Sequence, residues 1–287
     1  DLILLNTATA ILGHPDGYIG NLSGTTFAPQ TTLIYNGTDI QTTGFSNVYT
    51  PVGTLIVENY TEVKMDNDLE VGELELFDGY LDIGDFTLTV SDYIDYTNGA
   101  LKGNIAGSEL EIVEPLSGDL FINTDLHLNS LLIDAQFAEV RLSGNGFLYT
   151  NHTNVQNGQL FIQSANLDIQ GSLVIESGVL HGGPNAGLIV GSGVDPFDLY
   201  GENVFRLFRY YRPYAYTLSG NLTVENELDM GDGEIFIDYH VLEIKGNYYS
   251  TSGVIGGNEQ SSLILSGTSG VTDDVTITFN LAAGTPC

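Results

Sequence analysis

Positive charge is what this chain has least of: seven lysines and arginines stand against 37 aspartates and glutamates in 287 residues, for a formal net charge of −30. A nucleic-acid partner needs a basic stripe that releases counterions, so none is expected. Cysteine is nearly missing too, and with Cys287 alone no intrachain disulfide can form. Stability must then come from packed core residues, and the terminal Cys287 reads as accessible. No apolar run approaches the roughly 20 residues that cross a bilayer, so membrane insertion is not expected. The chain begins at Asp1 without a methionine or a basic-then-apolar leader, which suggests a mature or trimmed product, and the composition suggests export. No long window places apolar residues at helical spacing, so no helix is expected.

What the chain does have is a short beat. Apolar triplets start at Leu222, Leu228, Ile235 and Leu242, at Leu160, Leu167, Leu173 and Val179, and again around Leu69, Leu74, Leu81 and Leu88. In a strand the outer residues of a triplet share one face, so each triplet is a short strand with one buried side. Strands of a sandwich usually run longer, with a turn only about every ten residues. Three triplets with their turns carry the chain from Leu69 to Leu88, from Leu160 to Val179 and from Leu222 to Leu242. That circuit predicts an all-β, right-handed parallel β-helix (β-solenoid) with three-residue strands and about 19–20 residues per coil. The chain length would give roughly 14 coils and, at about 4.8 Å per level, a rod on the order of 65 Å long. Glycines between triplets, such as Gly171, Gly178 and Gly233, suit the tight corners. A β-sandwich is the competing architecture.

Two stretches break the beat. Residues 1–28 carry the apolar run Leu2, Ile3, Leu4 and Leu5 without triplets. They read either as a cap on the open end of the solenoid or as a strand donated to a neighbouring copy. Residues 29–287 are then the solenoid, with an irregular insertion at 195–216. The insertion holds Arg206, Arg209 and Arg212, three of the seven bases, beside Tyr210, Tyr211 and Tyr214. Arginine and tyrosine favour interface centres, so this loop is an expected contact with an acidic copy of the same chain, with self-packing as the alternative.

The acidity has two readings. One is solubility and self-repulsion, screened beyond about 8 Å at physiological salt. The other is Ca²⁺ held by Asp66-Asn67-Asp68, by Asp78 with Asp82 and Asp85, by Asp229 with Asp232, or by Asp273-Asp274. None has the spacing of a calcium loop or of calcium-binding nonapeptide repeats, and His14, His127, His152, His181 and His240 show no metal-ligand spacing. No cofactor or metal is therefore assigned. Five glycosylation sequons begin at Asn21, Asn36, Asn59, Asn151 and Asn221.

The run from Phe27 through Thr42, followed by Gly53-Thr54-Leu55-Ile56-Val57-Glu58-Asn59, resembles the repeats of large surface proteins of Bacteroidota. The stretches beginning Gly79-Tyr80-Leu81-Asp82-Ile83-Gly84 and Ser219-Gly220-Asn221-Leu222 are similar to them as well. The resemblance implies an exported, repetitive cell-surface protein of adhesin or fibre type, of the kind carried by the type IX secretion route. It brings no catalytic residues, and a basic C-terminal sorting domain is not recognisable here.

An enzyme must be argued from residues, not from a solenoid. Asn123-Thr124-Asp125 looks like the first acidic motif of polygalacturonases, and Leu180-His181-Gly182-Gly183 is similar to their histidine motif. The paired aspartates between them and the later Arg-x-Lys are missing. A lyase needs a base beside a metal-held carboxylate, and Lys102 and Arg141 stand nearly alone among acids. A glycosidase needs only two carboxylates, which 37 candidates leave open. No nucleophile elbow, phosphate loop or dinucleotide fingerprint occurs. The expectation is a non-catalytic, extracellular structural protein, a segment of a homopolymeric surface fibre. A glycan-binding adhesin using Tyr210, Tyr211 and Tyr214 is the alternative, and a polysaccharide lyase or glycoside hydrolase the third.

Overall fold

The computed structural model describes residues 3–4, 7–14, 26–27, 30–44, 51–114, 116–193 and 197–266. They contain strands and turns but no helix, and the strands pair in parallel as a β-solenoid of about 12 turns. Each turn visits three faces. The first face stacks 32–35, 54–57, 73–76 and 93–96, and continues from 119–122 through 141–144. The second stacks Gln41–Thr42, Glu62–Lys64, Tyr80–Asp82 and Ala100–Lys102, and later 147–150, 166–169, 187–190 and 207–210. The third stacks 69–71, 87–90, 109–112, 130–133 and 152–155, and later Ala215–Thr217, Glu234–Phe236 and Val254–Gly256.

The stacking places like on like. Leu33, Leu55, Leu74 and Ile94 form one inward column, and Leu88, Leu110 and Leu131 another, each side chain at most 2 % exposed. Burying one such side chain is worth about 1.5–3 kcal/mol, and the columns run from coil to coil. The triplet pattern therefore describes the core, but two of its details change. Strands are not limited to three residues: Leu126–Gly144 is continuous over 19. Extended corner residues keep their bonds to the coil below, so the ladder bends instead of breaking, with register shifts at corners such as Val90/Tyr93 and Thr150/His152. The repeat also varies. Glu62 pairs with Tyr80 over a short coil and Thr9 with Thr32 over a long one, and the longer coils leave fewer turns than a constant circuit predicts.

The coil stack extends into both stretches expected to interrupt it, among the described residues. Thr9–Leu12 pairs with Thr32–Tyr35 as a solenoid rung, and Ile3–Leu4 pairs with Thr26–Phe27 of the same chain. Gly201–Tyr210 is a ten-residue strand in register with 187–190 on one side and with Gly220–Asp229 on the other. The spacing there is even: Phe208 pairs with Leu188 below and Leu228 above, equally far along the chain. The segment is a rung with an aromatic core, not an insertion. Phe205, Phe208 and Tyr210 are fully buried, and Phe197 stacks on Tyr216 at 4.8 Å. Larger inner rings require less opposite them. A β-carbon on Gly182 would lie 2.2 Å from the Phe205 ring, so glycine in the coil below makes the room.

Candidate functional site

Most of the first face is a continuous ladder, but among the described residues no strand pairing joins 93–96 to 119–122. The chain from the inward Ile94 to the inward Leu120 is longer than the coil from Thr9 to Thr32, and the two levels meet through the Ser117 amide, which donates to the Asp92 carbonyl at 3.0 Å, without pairing as strands. The result is an open groove of about 580 Å³ that crosses successive levels from Tyr93 to Ser164. Its floor is low because Gly118, Ser143 and Gly144 carry little or no side chain. Gly144 has φ +104°, and a β-carbon there would sit 2.2 Å from the Ile122 carbonyl, so only glycine fits. Along the groove stand Tyr93, Tyr96 and Phe121, with Phe121 40 % exposed and its ring centre 6.2 Å from that of Tyr96.

Polar groups are interleaved with the rings. Asp95, Asp119 and Gln163 line the groove. Desolvation, and then the neighbouring Asp95 carboxylate, push the Tyr93 hydroxyl above its ordinary range. Burial does the same to the Tyr96 hydroxyl, whose oxygen is enclosed and has no hydrogen-bond partner. The Ser164 hydroxyl accepts from the Gly144 amide at 3.1 Å and keeps its own proton to donate. No lysine or arginine lines the groove; Arg141 is bonded to Glu139 at 2.6 Å. The sequence reading missed these residues. The available signal was the long interval, not a motif.

The residues expected to make assembly contacts are mostly engaged within their own coil stack. Leu2 and Leu5 lie outside the described residues, while Ile3 and Leu4 pair internally. Arg206 donates to the Asn166 side chain at 2.8 Å and to the Asn185 carbonyl at 3.3 Å. Arg209 bonds Glu227 at 2.8 Å. Arg212 is buried with its guanidinium 5.1 Å over the Tyr214 ring. Tyr210, expected as an exposed platform, is instead fully buried and donates to the Tyr214 carbonyl at 2.8 Å, because its column faces the core. Tyr211 and Tyr214 are exposed, with the Tyr211 hydroxyl on Asp229 at 3.0 Å.

The sequons differ sharply. Asn59 is fully buried: its amide donates to the Asp39 carbonyl and to Gln41, and its oxygen accepts from Thr61. A glycan there is incompatible with the folded chain. The Asn151 amide donates to the Ile105 carbonyl at 2.9 Å and the Asn221 amide to Glu202 at 2.6 Å. Asn36 is exposed on a turn, and Asn21 lies outside the described residues.

The carboxylates proposed for calcium serve turns and neighbouring coils. Asp68 accepts from the Thr87 amide, Asp78 from that of Gly79, Asp85 from Asn104 and Asp232 from Ser252. Asp82 accepts from the Gly84 amide and faces Lys102 at 3.7 Å. Burial first, and then the neighbouring Glu62, raise the Asp82 carboxyl. Asp273 and Asp274 are outside the described residues. Among the described residues no three His, Cys, Asp or Glu side chains gather to hold a metal. Asp125, from the polygalacturonase-like motif, accepts from the Phe147 amide at 3.1 Å.

The chain matches no family model, no curated protein and no solved structure. Function must therefore be argued from the coil stack and its groove.

Proposed function

We propose that this chain is a non-catalytic, extracellular structural protein, a stiff segment of a surface fibre built from copies of itself. The observation that carries the reading is the direction of the side-chain hydrogen bonds. On the solvent side they run along the axis, from one coil to the next: Thr54 to Glu73, Thr87 to Glu109, Asn157 to Asp134, Lys245 to Glu225, and Asn258 to Asp238. Backbone ladders, inward columns and outward polar pairs all couple neighbouring coils, which is what a load-bearing rod needs.

Electron microscopy of the purified chain tests the reading. Regular filaments are the expected result, and dispersed monomers at every concentration would remove the fibre. Release of reducing ends from a polysaccharide panel would remove the non-catalytic part.

A further inference from the structure

We propose that the groove between Tyr93 and Ser164 binds an uncharged oligosaccharide. Three properties of the site select this ligand class. First, the Tyr93 and Phe121 rings stand at an open notch, and aromatic faces held there stack on the C–H faces of sugar rings. Second, the polar lining mixes acceptors with donors: the Asp95 and Asp119 carboxylates accept, whereas the Ser164 hydroxyl and the Gln163 amide donate. An ammonium or guanidinium ligand offers donors only and would leave the donating half unused. A hydroxyl both donates and accepts, so a polyol engages both halves. Third, an acidic polysaccharide is repelled by the groove carboxylates and by the net charge of −30; the nearest cation, Arg141 on the rung paired with Asp119, is bonded to Glu139 at 2.6 Å and does not line the groove.

The groove's direction supports an extended chain. It runs across successive levels of one face, and its paired levels 119–122 and 141–144 lie about 4.8 Å apart, an interval close to the repeat of a linked hexose. An extended chain lying along the groove therefore meets a different set of side chains at each level. Phe121 and Asp119 come from one level, Tyr93 and Asp95 from the level before it, and Ser164 and Gln163 from beyond Gly144.

Affinity electrophoresis of the full chain through gels containing a soluble β-glucan, a mannan or a xylan tests the site. Polygalacturonate serves as the acidic arm, and titration with polylysine as the cationic arm. The expected result is retardation by at least one neutral polysaccharide and by no polygalacturonate. Phe121→Ala and Asp119→Asn should each weaken that retardation tenfold or more. Tyr239→Ala, an exposed ring away from the groove, should leave it unchanged, and thermal melts check that all variants fold. No retardation by any neutral polysaccharide, retardation that survives both groove substitutions, or binding of polylysine alone would overturn the proposal. The outcome is independent of polymerisation, since a monomer retains the groove and a filament can lack the ligand.

Discussion

Two stretches of this solenoid solve the same packing problem with different side chains. From Leu69 to Val190 the inward columns are almost wholly leucine, isoleucine and valine, whereas between Phe197 and Tyr216 phenylalanine and tyrosine predominate, with Leu199 beside them. The coil length hardly changes between them: Leu69 pairs with Leu88 in the first and Leu188 with Phe208 at the second, a difference of a single position. What changes is the demand on neighbouring coils. Aliphatic levels stack on like levels, but the aromatic level needs glycines at Gly182 and Gly233, whose β-carbons would lie 2.2 and 2.6 Å from ring atoms of Phe205 and Tyr210. A solenoid tolerates a change of core chemistry when the adjoining level gives up volume.

The most severe way to break the comparison is to empty the aromatic level. Phe205→Ala should cost about 3–5 kcal/mol, with Leu131→Ala in the aliphatic stretch at about 2–5 kcal/mol. Urea unfolding measures both, and a negligible loss for Phe205→Ala would deny the ring its core role. The compensation itself can be sharpened with Gly182→Ala, which overpacks the Phe205 ring and should cost about 1–3 kcal/mol. Combining it with Phe205→Leu should recover part of the loss, with a coupling of about 0.5–3 kcal/mol. Strict additivity would show that the two coils do not share the space.

A polar corner offers a control outside both cores. Asn59→Ala removes four hydrogen bonds at a fully buried site and should cost about 1–3 kcal/mol, whereas Asn36→Ala on an exposed turn should stay within about 0.5 kcal/mol. Equal melts for the two would show that the buried amide adds nothing.

The smallest effect is a pH response. Glu75 and Asp82 in the aliphatic stretch, and Asp168 where it meets Arg209, are all raised, chiefly by burial. A carboxyl raised in the folded state binds its proton more tightly there than in the unfolded chain. Its contribution to stability therefore grows as pH falls through the raised value and is lost as pH rises. Glu62 opposes this, since its bonds to Asp82 and Lys102 outweigh burial and lower it. The net expectation is a melting temperature that rises modestly from pH 7 to about pH 5, just above the ordinary carboxylate range. Relief of the −30 self-repulsion acts in the same direction. A melting temperature that falls over this interval would mean that carboxylate pairing outweighs burial.

The legibility of the chain follows the same division. Triplets at Leu222, Leu228 and Leu242 announced short strands because alternating apolar residues give a strand one buried face, and neither a helix nor a loop needs that pattern. Phe205, Phe208 and Tyr210 did not announce a rung, because Arg206 and Arg209 between them made the segment look like an interface loop. In the fold those arginines point outward and reach Asn166 and Glu227, which are 40 and 18 residues away in sequence. The groove was illegible for a related reason: Tyr93, Asp119 and Gln163 come from separate coils, and only stacking brings them together.

By itself, the sequence determined the all-β class, the parallel coil and its approximate period, because side-chain alternation and circuit length are local quantities. Only the tertiary structure decided which asparagines are buried, which arginines are already bonded, and where the ladder opens into a groove. Those properties depend on which residue lies one coil above or below. A repeat whose length differs between the Glu62/Tyr80 and Thr9/Thr32 levels does not let the sequence alone specify that neighbour.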